Sequence, residues 1–116
     1  MLVQGKVKKG LGDAKFWVNK INQVFYNKTD MKLFPGTLNI ELNEPFALKN
    51  YWIIEKHEYG GTQDVYVIEC KLFEDKAYVL RATQTQHKTN ILEIVSNVNF
   101  REKYHLKDND TVSIKF

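Results

Sequence analysis

The stretch that decides the fold of this chain is Asp64-Val65-Tyr66-Val67-Ile68-Glu69-Cys70-Lys71-Leu72-Phe73, whose side chains alternate with a period of two. One face of the predicted strand carries an apolar row, formed by Tyr66, Ile68, Cys70 and Leu72. Glu74-Asp75 then predicts a turn, and Lys76 to Ala82 predicts the returning strand. This part of the sequence therefore predicts an antiparallel hairpin.

Working outward, six further segments predict short strands: Val3–Lys8, Ala14–Val18, Thr37–Leu42, Trp52–Ile54, Ile91–Val95 and Thr111–Phe116. Two segments predict short helices, Asn19–Asp30 and Phe100–Leu106. Turns are expected at Gly10–Asp13, Glu58–Thr62 and Lys107–Asp110, and a polar loop at Thr83–Asn90. Many short strands without a repeating strand–helix–strand order indicate a small antiparallel barrel.

Length and composition exclude several classes of protein. With 116 residues, the chain predicts one domain spanning 1–116. A lone Cys70 excludes an internal disulfide, and no apolar run approaches the roughly 18 residues that span a bilayer. We therefore expect a cytoplasmic domain.

The net charge of +3 is concentrated near the N-terminus, where residues 1 to 20 hold five lysines against one aspartate. This local excess of +4 suits either an anionic partner or a solvated, basic edge strand.

The stretch Phe34-Pro35-Gly36-Thr37-Leu38-Asn39 carries the strongest sign of chemistry. Pro35-Gly36 fits the two central positions of a type II turn. In the strand that follows, Thr37 and Asn39 share one face, so a hydroxyl and an amide oxygen lie side by side. Mg²⁺ prefers such hard oxygen ligands together with waters and substrate phosphates. The pair is either a weak magnesium site or an ordinary outward-facing polar row.

The glycines between Gly10 and Ala14 also allow two interpretations. They predict a plain hairpin turn, or a cradle of backbone N–H groups for a phosphate, flanked by Lys9 and Lys15. The segment is neither a P-loop nor a dinucleotide-binding fingerprint. The three histidines lack the spacing of zinc ligands, and Cys70 is expected to be a core thiol.

Taken in order, three blocks of sequence resemble the archaeal-type, CTP-dependent riboflavin kinases over nearly the whole chain. The blocks are Gly5-Lys6-Val7 with Gly10-Leu11-Gly12-Asp13-Ala14-Lys15-Phe16, Pro35-Gly36-Thr37-Leu38-Asn39-Ile40-Glu41-Leu42, and the tail Ile91–Val95, Phe100–Lys103 and Leu106–Val112. The resemblance implies a mainly β, small six-stranded cradle-loop (RIFT-related) β-barrel with one or two short helices. It also implies an enzyme that converts riboflavin to FMN with CTP, releases CDP and uses Mg²⁺. We expect a monomer without a membrane or nucleic-acid partner.

The resemblance assigns roles by position. Nucleotide binding is expected at Gly10, Leu11, Gly12, Asp13, Ala14, Lys15, Val98, Asn99, Phe100 and Arg101. Magnesium binding is expected at Thr37 and Asn39, and contact with the flavin at Thr85 and Glu93. Glu93 either deprotonates the ribityl 5′-hydroxyl or only orients it by a hydrogen bond.

The sequence also departs from the family pattern. Ala82 stands at a position usually held by proline, Ser96-Asn97 replaces the usual Ala-Pro, and Asn109 replaces a glycine between two aspartates. Asparagine tolerates a positive φ, so the last change is mild. Two other functions stay open, a flavin-binding relative without turnover and a small basic barrel that binds nucleic acid through its lysines and aromatic rings.

Overall fold

Six strands close into an antiparallel barrel in the computed structural model, which describes residues 1–10, 12–83 and 89–116. The elements in chain order are β1 (Leu2–Lys8), α1 (Ala14–Thr29), β2 (Leu38–Glu41), β3 (Trp52–Ile54), α2 (Lys56–Tyr59), β4 (Val65–Leu72), β5 (Asp75–Ala82), β6 (Ile91–Val95), α3 (Phe100–Lys103) and β7 (Thr111–Lys115).

The barrel strands follow the order β4-β5-β6-β2-β1-β7. The ring closes where β7 pairs again with β4, through Lys71 with Lys115 and Leu72 with Ile114. β3 pairs with the other half of β4, with Trp52 opposite Val67. The predicted six-stranded barrel is therefore confirmed, and so is the β4–β5 hairpin that the alternating stretch predicted.

The chain buries two apolar clusters, one on each side of the barrel wall. The inner cluster contains, among others, Val7, Leu38, Ile40, Ile68, Cys70, Leu72, Val79, Leu92, Ile94 and Ile114. The outer cluster packs Val18, Ile21 and Phe25 of α1 against Val65, Val67 and Leu80 of the wall. Because α1 covers the outside of β4 at Val65 and Val67, the first half of that strand is buried on its outer face as well, whereas Glu69 and Lys71 farther along the same face are exposed.

The predicted strand Ala14–Val18 and the hairpin turn before it are wrong. Residues 14–18 form the first part of α1, which begins at Ala14 and ends at Thr29, one residue before the end of the predicted Asn19–Asp30 helix. The buried positions Val18, Ile21 and Phe25 are three and four residues apart, as on one helical face. The helical spacing of these positions prevails over the brief alternation of Ala14, Phe16 and Val18. A helix that packs one face against the barrel is stabilised more than a five-residue strand formed by the same residues would be.

Two smaller differences concern β1 and α2. β1 lies between β2 and β7, so the interpretation of its lysines as a basic edge strand is wrong. The turn expected at Glu58–Thr62 begins inside α2, whose first turn is closed by a capping box between Glu55 and Glu58. The described residues form three helices, of which α1 has 16 residues, and none of the three is long and apolar enough to cross a membrane.

Candidate active site

Asn39 lies at the centre of β2 with its side chain on the outer side of the barrel wall. It stands opposite Lys8 of β1 and Glu93 of β6, while its neighbours Leu38 and Ile40 point into the barrel. The residue is nevertheless only 5% exposed. Part of its cover is Gly10, where an added Cβ would lie 2.5 Å from the Asn39 Nδ2 atom. The segment from Gly10 to Asp13, called here the glycine loop, therefore begins directly on the Asn39 carboxamide.

The carboxamide oxygen of Asn39 is buried and, within the part of the chain that the structure describes, accepts no hydrogen bond. An unsatisfied buried acceptor costs about 1–3 kcal/mol, so this oxygen is suited to accept a hydrogen bond from a water or to bind a cation. Among the described residues no group of three or more His, Cys, Asp or Glu side chains is placed to hold a metal. The buried oxygen of Asn39 fits one neutral ligand of the weak magnesium site that the sequence suggested, and Thr37, two residues earlier in the chain, is the other expected ligand.

Glu93 places a carboxyl group beside this carboxamide. It is half-buried in β6, opposite Asn39 on one side and Leu80 on the other. Burial, and next the negative charge of Asp13, raise the pKa of Glu93 to about 7. The influence of Asp13 shows that the glycine loop and Glu93 belong to the same patch. At neutral pH this carboxyl is poised to exchange a proton.

A cleft of about 200 Å³ opens beside the segment that leads into β2. Thr37, which directly precedes β2, lies in its wall. The other lining residues are Phe34, Gly36, Leu38, Ile94, Ser96, Val98, Asn99, Phe100 and Arg101. The cleft thus joins one expected magnesium ligand to the four C-terminal residues expected to bind the nucleotide.

The C-terminal wall of the cleft is held by α3 and the residue before it. The Asn99 side chain accepts a hydrogen bond from the Glu102 backbone N–H at 3.3 Å and so caps the helix. Phe100 is buried in the inner cluster. The guanidinium of Arg101 donates to the carbonyl of Lys8 at 3.2 Å and to the carboxylate of Asp108 at 2.7 Å.

The Pro35-Gly36 segment differs from the turn that the sequence predicted. Gly36 has a φ of 155°, far from the roughly +80° of the third residue in a type II turn. The segment is instead fixed by Phe34, whose N–H donates to the Ser96 carbonyl at 2.8 Å. Phe34 and Ser96 line the cleft, and sequence reasoning gave neither a role. In the sequence, Phe34 was marked only as the first residue of the Phe34–Asn39 stretch. Ser96 was marked only as part of Ser96-Asn97, which departs from the family pattern.

Comparison with known proteins now assigns the chain to a family. A family model named CTP-dep_RFKase, described as "Domain of unknown function DUF120", matches residues 7–116. The chain belongs to this CTP-dependent riboflavin kinase family. Its relatives include a riboflavin kinase of Staphylothermus marinus, 34% identical over 115 residues that cover 97% of this chain and 88% of the relative.

Two further relatives show the range of lengths among proteins similar to this chain. A riboflavin kinase of Methanobrevibacter smithii is 30% identical over 126 residues, and the match covers all of both chains. A riboflavin kinase of Methanocella arvoryzae is 28% identical over 97% of this chain, which corresponds to 56% of that longer protein.

The fold places the expected site residues in two adjoining groups. Gly10, Asp13, Asn39 and Glu93 form the patch on the outer wall, and Thr37 with Val98–Arg101 forms the cleft. Gly12 has a φ of 93°, which favours glycine, and Ala14 and Lys15 open α1. Leu11 and Thr85 lie outside the described residues, so their expected roles in nucleotide and flavin binding stay predictions. Cys70 is buried in the inner cluster as expected, and burial raises its pKa to about 12.

Proposed function

We propose that this chain is a riboflavin kinase that transfers the terminal phosphate of CTP to the ribityl 5′-hydroxyl of riboflavin, giving FMN and CDP. Family membership and the names of the relatives support riboflavin phosphorylation. The observation that carries the proposal is the buried, unsatisfied oxygen of Asn39, which lies between the glycine loop and Glu93. One patch thereby supplies an oxygen ligand for a cation, a loop suited to phosphates and a carboxyl suited to a hydroxyl proton.

The nucleotide is proposed to bind between two segments, residues Gly10–Lys15 and Val98–Arg101. Glycine-rich backbone that leads into a helix presents N–H groups to phosphates, and α1 begins directly after the glycine loop. Thr37 and Asn39 are the proposed metal ligands. Bound there, Mg²⁺ would supply positive charge to the phosphate oxygens, the main requirement for phosphoryl transfer.

Glu93 is proposed to accept the proton of the ribityl 5′-hydroxyl. The hydroxyl oxygen forms a bond to the terminal phosphorus, the bond from that phosphorus to the bridging oxygen breaks, and CDP leaves with the electron pair. A pKa of about 7 provides enough carboxylate at neutral pH and a sufficiently strong base. A general base of this kind raises the rate by about 10²- to 10⁴-fold. The size of this effect distinguishes a base from a group that only orients the ribityl chain.

Selection of CTP over ATP is proposed to rest on polar backbone groups of residues 98 to 101 in the cleft wall. A nucleobase that cannot form hydrogen bonds with the buried donors and acceptors of the site leaves those groups unsatisfied. This loss discriminates strongly against binding of that nucleobase. Phe34, Gly36, Thr37 and Leu38 line the same cleft as residues 98 to 101.

The test is incubation of the protein with riboflavin, Mg²⁺ and each nucleoside triphosphate in turn, with FMN separated by chromatography. We expect FMN and CDP from CTP, with kcat/KM at least about a hundredfold above that for ATP. Equal use of ATP would contradict the CTP preference. Riboflavin binding without FMN from any triphosphate would contradict the kinase and indicate a non-catalytic relative.

A further inference from the structure

The turn from Lys107 to Asp110 packs against the last residues of β1. The Asn109 N–H donates to the carbonyl of Val7 at 2.8 Å, and the Val7 N–H donates to the carbonyl of Asp110 at 2.9 Å. The ammonium of Lys8 donates to the side-chain oxygen of Asn109 at 2.8 Å. Asn109 has a left-handed φ of 73°, as its place in the turn predicted. These bonds fix the end of β1 immediately before the glycine loop.

Arg101 connects this end of β1 to the wall of the cleft. One nitrogen, Nη2, donates both to the Lys8 carbonyl at 3.2 Å and to Asp108 Oδ1 at 2.7 Å. Lys8 lies two residues before Gly10, and Arg101 itself lines the cleft. The guanidinium therefore bridges the two segments between which the nucleotide is proposed to bind, although they are 93 residues apart in sequence.

We propose that Asp108 is a positioning residue of the nucleotide site. Its carboxylate holds the Arg101 guanidinium against the Lys8 carbonyl and so fixes the separation between the glycine loop and residues 98 to 101. The inference rests on the proposed function and adds a residue to which no role in that function had been given. In this proposal the Arg101 side chain joins the two segments and does not itself contact phosphate.

The properties of Asp108 favour an indirect role. It is not among the residues that line the cleft, and its carboxylate would repel a triphosphate. Its short contact with Arg101 is a charge-assisted hydrogen bond, which restricts a long side chain that otherwise samples many rotamers. The Asp108 side chain is 52% exposed, so its loss should affect the geometry of the site more than the stability of the fold.

The first test compares Asp108→Ala, Asp108→Asn and wild type by steady-state kinetics in which CTP and riboflavin are varied separately. We expect Asp108→Ala to raise the KM for CTP by about three- to tenfold, with kcat and the KM for riboflavin within about twofold. Asp108→Asn should show a smaller rise, because its amide oxygen still accepts from Arg101. Glu69→Gln is the matched control, since Glu69 forms a similarly exposed pair with Lys76 at 3.2 Å on the β4–β5 hairpin. An unchanged KM for CTP in Asp108→Ala would overturn the inference.

The second test repeats the substitution in an Arg101→Ala background. If Asp108 acts through Arg101, Asp108→Ala should change the KM for CTP there by less than about twofold. An equal rise in both backgrounds would show that Asp108 acts independently and would overturn the inference.

Binding measurements separate this inference from the proposed function. Calorimetric titration with CDP and Mg²⁺ needs no turnover, and Asp108→Ala should weaken CDP binding by the same factor as it raises the KM for CTP. If wild type binds CDP but forms no FMN, the proposed function fails while this comparison still decides the role of Asp108. Unchanged CDP affinity in Asp108→Asn and Asp108→Ala, with unchanged thermal unfolding, would leave Asp108 no part in nucleotide binding.

Discussion

Asn39 and Glu93 stand directly opposite each other in the β2–β6 ladder, on the face turned away from the barrel interior. Side chains so paired have Cβ atoms about 4.5–5.5 Å apart, close enough for one small ligand to touch both. The proposed metal ligand and the proposed proton acceptor therefore share one site. A phosphate on a cation at Asn39 and a hydroxyl held at Glu93 would therefore lie close to each other.

Substitution of Gly10 by alanine should disturb the site without disturbing the fold. The new Cβ would lie 2.5 Å from Asn39 Nδ2, so the carboxamide must turn or shift. We expect kcat/KM to fall by about ten- to a hundredfold, because displacements of this size misplace reacting groups. Steady-state kinetics at several Mg²⁺ concentrations should show a raised requirement for the metal.

Gly60→Ala is the control for this change. Gly60 has a φ of 69° at the end of α2 and no atom within 4 Å of an added Cβ, so alanine there strains the backbone without meeting a neighbour. The expected result is a loss of about 1 kcal/mol in unfolding free energy with unchanged kinetics. Wild-type magnesium dependence in Gly10→Ala would show that the position of the carboxamide does not matter.

The activity should depend on pH through Glu93. Since the carboxylate accepts the proton, kcat/KM should rise about tenfold per pH unit up to about pH 7 and level off above it. Glu93→Gln should lose more than about tenfold in kcat and flatten this part of the profile. A smaller loss would leave Glu93 only the task of orienting the ribityl chain.

The same residue should make stability depend on pH. Folded Glu93 keeps its proton up to about pH 7, whereas an unperturbed glutamate loses it near 4.5. Its contribution to stability is therefore complete below about pH 4.5 and is lost as the pH rises to about 7. Glu93→Gln should exceed wild type by about 1–3 kcal/mol in unfolding free energy at pH 8 and match it at pH 4. Urea denaturation at the two pH values measures this, and an equal difference at both would contradict the raised pKa.

The docking of α1 should depend strongly on Phe25. This ring is fully buried and meets Tyr78 edge-on, with ring centroids 4.9 Å apart. Phe25→Ala should reduce the unfolding free energy by about 3–5 kcal/mol. Tyr26→Ala, one residue on and 47% exposed, should change it by less than about 0.5 kcal/mol. Similar small losses in both variants would contradict the packing of α1 on the barrel.

The strands could be predicted from the sequence because each depends on local alternation. The β4–β5 hairpin needs only Val65–Leu72, a short turn and Asp75–Ala82, and it formed as predicted except that the turn lies at Phe73–Glu74, one residue before the predicted Glu74–Asp75. The start of α1 could not be predicted in this way. Residues 14 to 18 fit both the two-residue period of a strand and the 3.6-residue period of a helix. They form a helix because it packs on the outer surface of β4, which sequence alternation did not reveal.

The candidate site was only partly predictable. The Thr37/Asn39 spacing indicated paired oxygens, but the burial of Asn39 arises in part from Gly10, 29 positions earlier in the chain. The effect of Asp13 on Glu93 likewise requires the docking of α1. Contacts of this kind depend on closure of the barrel, which brings distant segments together and leaves no local pattern.

The most direct test of the account compares wild type and Asn39→Leu in FMN formation from riboflavin and CTP, with and without Mg²⁺. Leucine has the branching and the number of heavy side-chain atoms of asparagine and removes the unsatisfied oxygen, so the variant should still unfold cooperatively on heating while the proposed metal ligand is lost. We expect magnesium-dependent FMN formation by wild type and a rate of FMN formation at least about a hundredfold lower in Asn39→Leu. Wild-type rates in the folded variant would contradict the account.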